Sequence, residues 1–468
     1  MKYCVVLLSA VLLTAGCTVG PKYKRPTVTV PGSYRGVVPE QPGQPQITPP
    51  ITPLGDQKWW DIFQDEQLRT LIRTALQQNY DLRIAASRLL EAQAQLGITR
   101  SDQFPTLSAG AAIGDIRTGR SRFLPPFETS TGQVNLSAAW ELDFWGKYRR
   151  ATEAARANLL ASEWARQEVV STLVANVASA YFQLRALDLQ LEISKRTLAS
   201  RKESLRLTRL LADGGSTSLL DVRQAEQLVF TASAEVPALE QQIEQQENFL
   251  SILLGQNPGD IPRGQPLTEQ HQPPEVPPGL PSELLDRRPD IRQAEEQLIA
   301  ANAQIGVARA AYFPQISLSG AGGFQSSALS NLVTGPAGAW SFGASLTQPI
   351  FTAGKLRSGV RLAEARHQTA LLVYQQSIQA AFRSVSDALV AYRKTHEFRV
   401  QEEFLFQSAQ DAARLSHLRY TGGVTGYLEV LTNETNAFSA ELTLVQARQN
   451  ELLALVQLYE ALGGGWQQ

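Results

Sequence analysis

FPTLSAG at residues 104–110 returns as FPQISLSG at residues 313–320, with Phe104-Pro105 and Phe313-Pro314 lying 209 positions apart. The surroundings repeat in the same order. An amphipathic segment precedes each phrase, at about 65–101 and about 284–311. After each Phe-Pro, apolar residues alternate with polar ones: Leu107, Ala109, Ala111 and Ile113 in the first copy, Ile316, Leu318, Gly320 and Gly322 in the second. A second alternation follows, through Val134, Leu136, Ala138 and Trp140, then through Phe342, Ala344 and Leu346. Period two marks strands with one apolar and one polar face. Each copy therefore holds a β-hairpin, at 104–142 and 313–350, closed by Gly, Ser and Pro loops at roughly 117–130 and 326–337. Strands of about 9–12 residues suffice to cross a bilayer at a tilt; the edge of a soluble sandwich is the other reading of the same periodicity.

Behind each hairpin lies a run built for a helix. From Lys147 to about Leu211 there is neither proline nor glycine, and Leu173, Val177, Tyr181, Leu184, Leu187 and Leu191 recur at helical spacing. The second copy runs from Lys355 to about Tyr420, interrupted by Gly359 alone. A helix of about 65 residues is on the order of 100 Å long, well beyond the usual length in a compact domain. Both runs end in paired glycines, Gly214-Gly215 in LLADGGSTS and Gly422-Gly423 in RYTGGVTG, suited to left-handed helix termination. Returning helices follow at about 218–254 and 426–462, with Asp221-Val222 matching Glu429-Val430 at an offset of 208. Pro237, inside the first returning helix, is expected to bend it or mark a packing irregularity.

The chain of 468 residues carries 43 basic and 44 acidic side chains, so no strong net field points to nucleic acid. Four histidines, one methionine and two cysteines outside any CxxC spacing argue against a metal site. His396 and His417 lie inside the long helices, where a solvated or inter-helix role is expected. The N-terminus, MKYCVVLLSAVLLTAGC, has an apolar run too short to span a membrane and the proportions of a signal peptide. Its end resembles a bacterial lipobox in which Cys17 becomes the lipidated first residue; Thr14 stands where leucine is usual, and Leu13 is one position earlier. Residues 20–56 and 257–281 are rich in proline and read as surface straps.

Four strands cannot close a barrel, and open edges are intolerable in hydrocarbon. Subunits must pool them: two would supply 8 strands and three would supply 12. Geometry alone does not choose. Small residues along the long helices, among them Ala151, Ala154, Ala155, Ala157, Ala175, Ala178 and Ala180, permit close helix packing. A coiled-coil rod would account for the helices but not for the hairpins.

With these features assembled, the chain resembles the outer membrane factor (TolC-like) family, specifically its lipoprotein branch from multidrug efflux systems. The matching stretches are CTVGPKYKRP at 17–26, WW at 59–60, LDFWGKYRR at 142–150, LDRRPDI at 285–291, QPIFTAGK at 348–355 and RYTGGVTGYLEVL at 419–431, besides the two Phe-Pro phrases. The resemblance implies a mixed fold: a transmembrane β-barrel of four strands per chain, 12 in a homotrimer, continuous with a long periplasmic α-helical barrel and internally duplicated. It implies a signal peptide at 1–16, a lipid-anchored segment at 17–64, repeat one at 65–256, a crossover in an equatorial belt at 257–281, repeat two at 282–462 and a tail at 463–468. It also implies a passive exit duct for drugs or other small toxic compounds, partnered by a periplasmic membrane-fusion adaptor and an inner-membrane pump of the RND type. Outer membrane lipid surrounds it; no cofactor is expected beyond the covalent lipid on Cys17, and GGSTS lacks the lysine of a P-loop. Duct service in protein or peptide secretion, and a structural lipoprotein without a pore, are the alternative functions; no catalytic constellation is present.

In such a family the periplasmic tip carries the gate. The resemblance assigns Gly214, Gly215, Gly422 and Gly423 to turn geometry, and Arg419 and Tyr420 to inter-helix hydrogen bonds that hold the tip closed. Thr425 stands where an acidic residue is frequent, so Asp213 and Asp221 become the alternative sources of negative charge, with plain exposed helix-end carboxylates as the other reading. Phe104 and Phe313 are expected at strand-helix junctions, and Trp140, Trp145 and Trp340 as interface anchors or core fillers.

Overall fold

A computed structural model describes residues 18–32, 34, 54–120, 122, 125–270 and 281–466; the expected signal peptide at 1–16 and the expected lipidation site Cys17 lie outside the described residues. Helices α1 (Glu66–Gln78) and α2 (Tyr80–Ser101) lead to strands β1 (Thr106–Thr118) and β2 (Phe127–Leu142), then to α3 (Lys147–Asp213) and α4 (Leu219–Leu253). The second half repeats the order with α5 (Pro281–Arg287), α6 (Pro289–Ala310), β3 (Gln315–Ser326), β4 (Gly338–Thr347), α7 (Lys355–Thr421) and α8 (Tyr427–Ala461). Each α3 and α7 helix has 67 residues, and each returning helix 35. No helix among the described residues is long and apolar enough to cross a membrane.

Three differences from the sequence reading have physical reasons. The amphipathic segment of the first copy is two helices, because Asn79 leaves helical geometry and its Oδ1 accepts from the Leu82 amide at 3.0 Å, capping α2. In the second copy Pro289 divides α5 from α6, as a proline disfavours helical geometry in the residue before it. The first hairpin loop is shorter than expected, since Phe127, Glu128, Thr129 and Ser130 already pair with Thr118, Arg117, Ile116 and Asp115. Pro237 does not divide α4, which is one helix from end to end.

The chain gathers into two units, neither of which is a sequence repeat. One comprises residues up to Thr27, Arg88–Glu163 and Gln293–Gln375; the other comprises Val28–Ser87, Trp164–Arg292 and Gln376 onward.

The first unit contains a single antiparallel sheet in the order β1-β2-β3-β4. Its register puts Leu107, Ala109, Ala111 and Ile113 opposite Ala138, Leu136, Val134 and Gly132; Ala138 and Leu136 in turn face Gly320 and Gly322, which meet Phe342 and Trp340. All of these share one face. Serines line the other, with Ser108 and Ser137 hydroxyls 2.8 Å apart and their repeat counterparts Ser317 and Ser345 2.7 Å apart. The apolar face is exposed among the described residues: Leu107 is 72% exposed, Phe342 73% and Trp340 85%. At the strand ends Trp145 stacks on Phe313 with ring centroids 4.7 Å apart and donates to the Pro314 carbonyl at 2.9 Å, while Phe104 is exposed. Trp140 donates to the Gln103 carbonyl at 3.0 Å. The segment that follows Cys17 lies across α6: the Asn302 amide donates to the Pro21 carbonyl at 3.1 Å, and Glu295 receives Tyr23 at 3.2 Å and pairs with Arg25 at 3.1 Å. Gly306 is required there, because a Cβ on it would stand 2.7 Å from the Val19 carbonyl.

The second unit holds a large apolar core that includes Leu68, Ile72, Tyr181, Leu184, Leu239, Leu250, Leu284, Ile291 and Tyr459. Asp65 is its buried polar node. The carboxylate caps α1 through the Gln67 amide at 2.8 Å and accepts from the Tyr181 hydroxyl at 2.8 Å, the Gln265 amide at 2.9 Å and the Gln270 side chain at 3.0 Å. Burial pushes this carboxyl up, but hydrogen bonds from Gln270, Tyr181 and backbone amides outweigh burial and hold it below the usual carboxylate range. The sign follows: its contribution is complete above the ordinary carboxylate value and is lost as pH falls through the depressed one. Asp65→Ala leaves buried donors unpaired at about 1–3 kcal/mol each. It should therefore free the strap at 257–270 for limited proteolysis at neutral pH, and an unchanged digestion pattern would show that this node does not hold the strap.

Candidate functional site

The two helix-to-helix turns are built alike. In the first, Gly215 takes φ +72°, its amide donates to Ala212 at 3.0 Å and the Ser216 amide to Leu211 at 2.8 Å. In the second, Gly423 takes φ +70°, its amide donates to Tyr420 at 3.0 Å and the Val424 amide to Arg419 at 2.9 Å. These bonds are the Schellman arrangement, which satisfies the last carbonyls of a helix through a left-handed residue. Gly214 and Gly422 precede the left-handed position and do not share its positive φ.

The first returning helix is started by a carboxylate. Asp221 accepts from Thr217 at 2.5 Å and from the Ser218 amide at 3.1 Å, while the Ser218 hydroxyl accepts from the Asp221 amide, closing a capping box. The Thr217 hydroxyl, with the Ser218 donors, holds the Asp221 carboxyl below its usual range, against a smaller upward push from burial. In the second turn Thr425 donates to Glu429 at 2.5 Å, and Glu429 also pairs with Arg419 at 3.0 Å. Thr425 thus orients an acid four residues on. Asp213, exposed at the end of α3, has no partner among the described residues.

Tyr420 meets Tyr427 ring against ring, centroids 5.4 Å apart. Tyr427 is buried and its hydroxyl bonds Thr208, so the space beside it suits an aromatic edge. Burial pushes the Tyr427 phenol up to about 12. The rings close a core of Leu205, Val222, Ala225, Val229, Tyr427 and Val430, which ties α3 and α4 to α8. A cavity of about 770 Å³ opens beside it, lined by Leu207, Leu211, Asp221, His417, Tyr420 and Thr425 among others.

Two cross-helix pairs went unread in the sequence. Arg209 meets Glu226 at 2.8 Å, and His417 meets Glu434 at 2.5 Å. The offset of 208 that relates the two copies also relates these pairs, and it was the available signal. His396, like His417, is an inter-helix residue, 2.6 Å from Glu451. No group of three or more His, Cys, Asp or Glu residues able to hold a metal occurs among the described residues.

This geometry sits in a chain whose two halves, residues 71–256 and 280–464, both match the family model described as outer membrane efflux protein. The chain belongs to that family. Among curated relatives, the solvent efflux pump outer membrane protein SrpC of Pseudomonas putida is 38% identical over 476 residues, covering 100% of this chain and 99% of its own. The cation efflux system protein CusC of Escherichia coli is 35% identical over 477 residues, covering 100% of both chains. Among solved structures, the open state of the MtrE outer membrane channel of Neisseria gonorrhoeae superposes with a TM-score of 0.87 at 34% identity, covering 96% of this chain and 99% of that one.

For this outer membrane efflux protein, the turn geometry gives a direct expectation. A Cβ on Gly215 or Gly423 would meet nothing within 4 Å, so alanine there is disfavoured by backbone conformation alone. Each substitution should cost about 1–2 kcal/mol, seen as a lower thermal unfolding midpoint in detergent. Gly214→Ala, in ordinary contact at 3.4 Å and without positive φ, should be neutral or stabilising; equal losses at 214 and 215 would refute the assignment of the left-handed residue.

Proposed function

We propose that the protein is the outer membrane exit duct of a tripartite efflux pump, conducting drugs or other small toxic compounds passively from the periplasmic assembly to the exterior. The observation that carries this reading is the full-length similarity to outer membrane proteins of solvent and cation efflux systems. The exposed apolar face running across all four strands agrees with it. The protein is a channel and not an enzyme. It works as a homotrimer with a periplasmic membrane-fusion adaptor and an RND-type inner-membrane pump, which supplies the energy.

In the trimer, four strands from each chain make a barrel of 12 in outer membrane lipid, and the long helices make a periplasmic barrel. Apolar side chains such as Leu107, Trp340 and Phe342 face lipid, and the serine-lined face lines the water-filled lumen. The chain is divided as the repeats divide it, with a signal peptide at 1–16, repeats at 65–256 and 282–462, and the strap at 257–281 contributing to a belt. Cys17 carries the lipid that makes this the lipoprotein branch. The glycine turns are the periplasmic tip, where Asp213, Asp221 and Glu429 supply negative charge and where Arg419, bound to Glu429, and Tyr420, packed on Tyr427, hold the closed arrangement. Adaptor binding shifts that arrangement between two states.

Two measurements test this reading. In planar bilayers the purified protein should show a small conductance that rises in the Arg419→Ala, Tyr420→Ala double variant; folded, oligomeric protein that conducts in neither form would exclude a duct. Cys17→Ser should abolish incorporation of labelled palmitate in cells, and retained label would place the lipid elsewhere.

A further inference from the structure

The duplicated tip is not electrically duplicated. Hairpin one, formed by α3 and α4, is clasped by Arg209 on Glu226 at 2.8 Å, and Arg223 reaches the same carboxylate at 2.7 Å. At the corresponding positions hairpin two, formed by α7 and α8, is clasped by His417 on Glu434 at 2.5 Å. A guanidinium keeps its charge at every physiological pH, whereas an imidazole does not. The same clasp is therefore permanent in one hairpin and titratable in the other.

Glu434 also has somewhere to go. Its Oε1 faces His417, but its Oε2 is buried without a hydrogen-bond partner. Arg201, buried on α3, donates from Nη1 to the Leu228 carbonyl at 3.1 Å and stacks over Phe438 at 4.9 Å, and its Nε is likewise buried without a partner. Both side chains line one cavity of about 670 Å³ between α3, α7 and α8. Two unsatisfied groups of opposite charge beside a shared space make a second pairing available, and each gains by it.

We propose that Glu434 is the moving part of a proton-operated latch, clasping protonated His417 to hold hairpin two shut and turning to Arg201 when His417 loses its proton. The inference rests on the duct reading of the tip. The other charges around the pair leave the latch intact. On α4, Asp221 lines the cavity beside His417 but is held by Thr217 and Ser218; on α3 and α8, Arg196 and Glu441 line the cavity beside Arg201 and Glu434 and pair with each other; on α7 and α8, Arg419 is paired with Glu429 and Arg414 with Asp411; Tyr420 and Tyr427 are further titratable neighbours among the described residues. The hydrogen bond to Glu434 lifts His417 above the ordinary histidine value, more than burial lowers it. The clasp is consequently complete below the ordinary histidine value and is lost as pH rises through the clasped one.

Single-channel recording of the full-length protein from about pH 5.5 to about pH 8.5 spans the histidine range. The open fraction of wild type should rise about fivefold or more across it, the lower bound of coupling usual between a ligand, here a proton, and a two-state element. His417→Arg should stay at the low-pH level throughout, and Arg209→His should steepen the rise by making both clasps titratable. A flat wild-type profile, or a rise that survives in His417→Arg, overturns the latch. Absence of conductance at every pH in every form would instead defeat the duct reading. The latch then stands or falls on hydrogen exchange over residues 411–434, where it requires protection to fall with pH in wild type relative to His417→Arg, and no difference overturns it.

Discussion

The structure turns on the unpaired edges of a four-stranded sheet. β1 and β4 each have one paired neighbour among the described residues, and the strands between them are paired on both sides. An edge of this length, beside an apolar face that the chain leaves exposed, is a liability in water and forbidden in hydrocarbon unless another strand completes it. Pairing β1 of one copy with β4 of the next satisfies both edges at once, and only a closed ring leaves none over. The open edges set that requirement, and they do not by themselves set the number of chains that meets it.

Duplication supplies the parts and divergence assigns their roles. Serine pairs in the sheet, glycine turns, threonine-to-carboxylate hydrogen bonds and cross-helix clasps recur at offsets of 208 or 209. The differences fall where the copies do different work. Leu211 stands where the second copy has Arg419, so only the second turn is pinned to its own helix start through Glu429. Arg209 stands where the second copy has His417, and Trp145 stacks on Phe313 while its counterpart is Ala353.

Much of this was legible in the residues, because the strongest signals are periodic. Alternation located the strands, long stretches without proline and, but for Gly359, without glycine located α3 and α7 to within about two residues, and Gly-Gly marked the turns. Local exceptions were harder. Asn79 breaks a helix by capping the next one, which hydrophobic periodicity does not register, and Phe127 to Ser130 look like loop in isolation yet pair because β1 extends opposite them. The site was half visible. The glycines and Arg419 could be picked out from their place in the turn, but the partner of Arg419 is Glu429, ten residues on, and Glu434 gave no signal except through comparison with Glu226. Asp65 was invisible as a node because its partners at 181, 265 and 270 are distant in sequence.

The central claim is that the sheet is one third of a closed barrel, and the stoichiometry of the extracted protein tests it most directly. Native mass spectrometry of the detergent-solubilised protein should give a single species of three chains, each near the 51.3 kDa of the full sequence less its signal peptide and with the added lipid. A stable monomer or dimer, folded and still inserted in detergent, would leave the strand edges unmatched or close them at a different number, and would contradict the account.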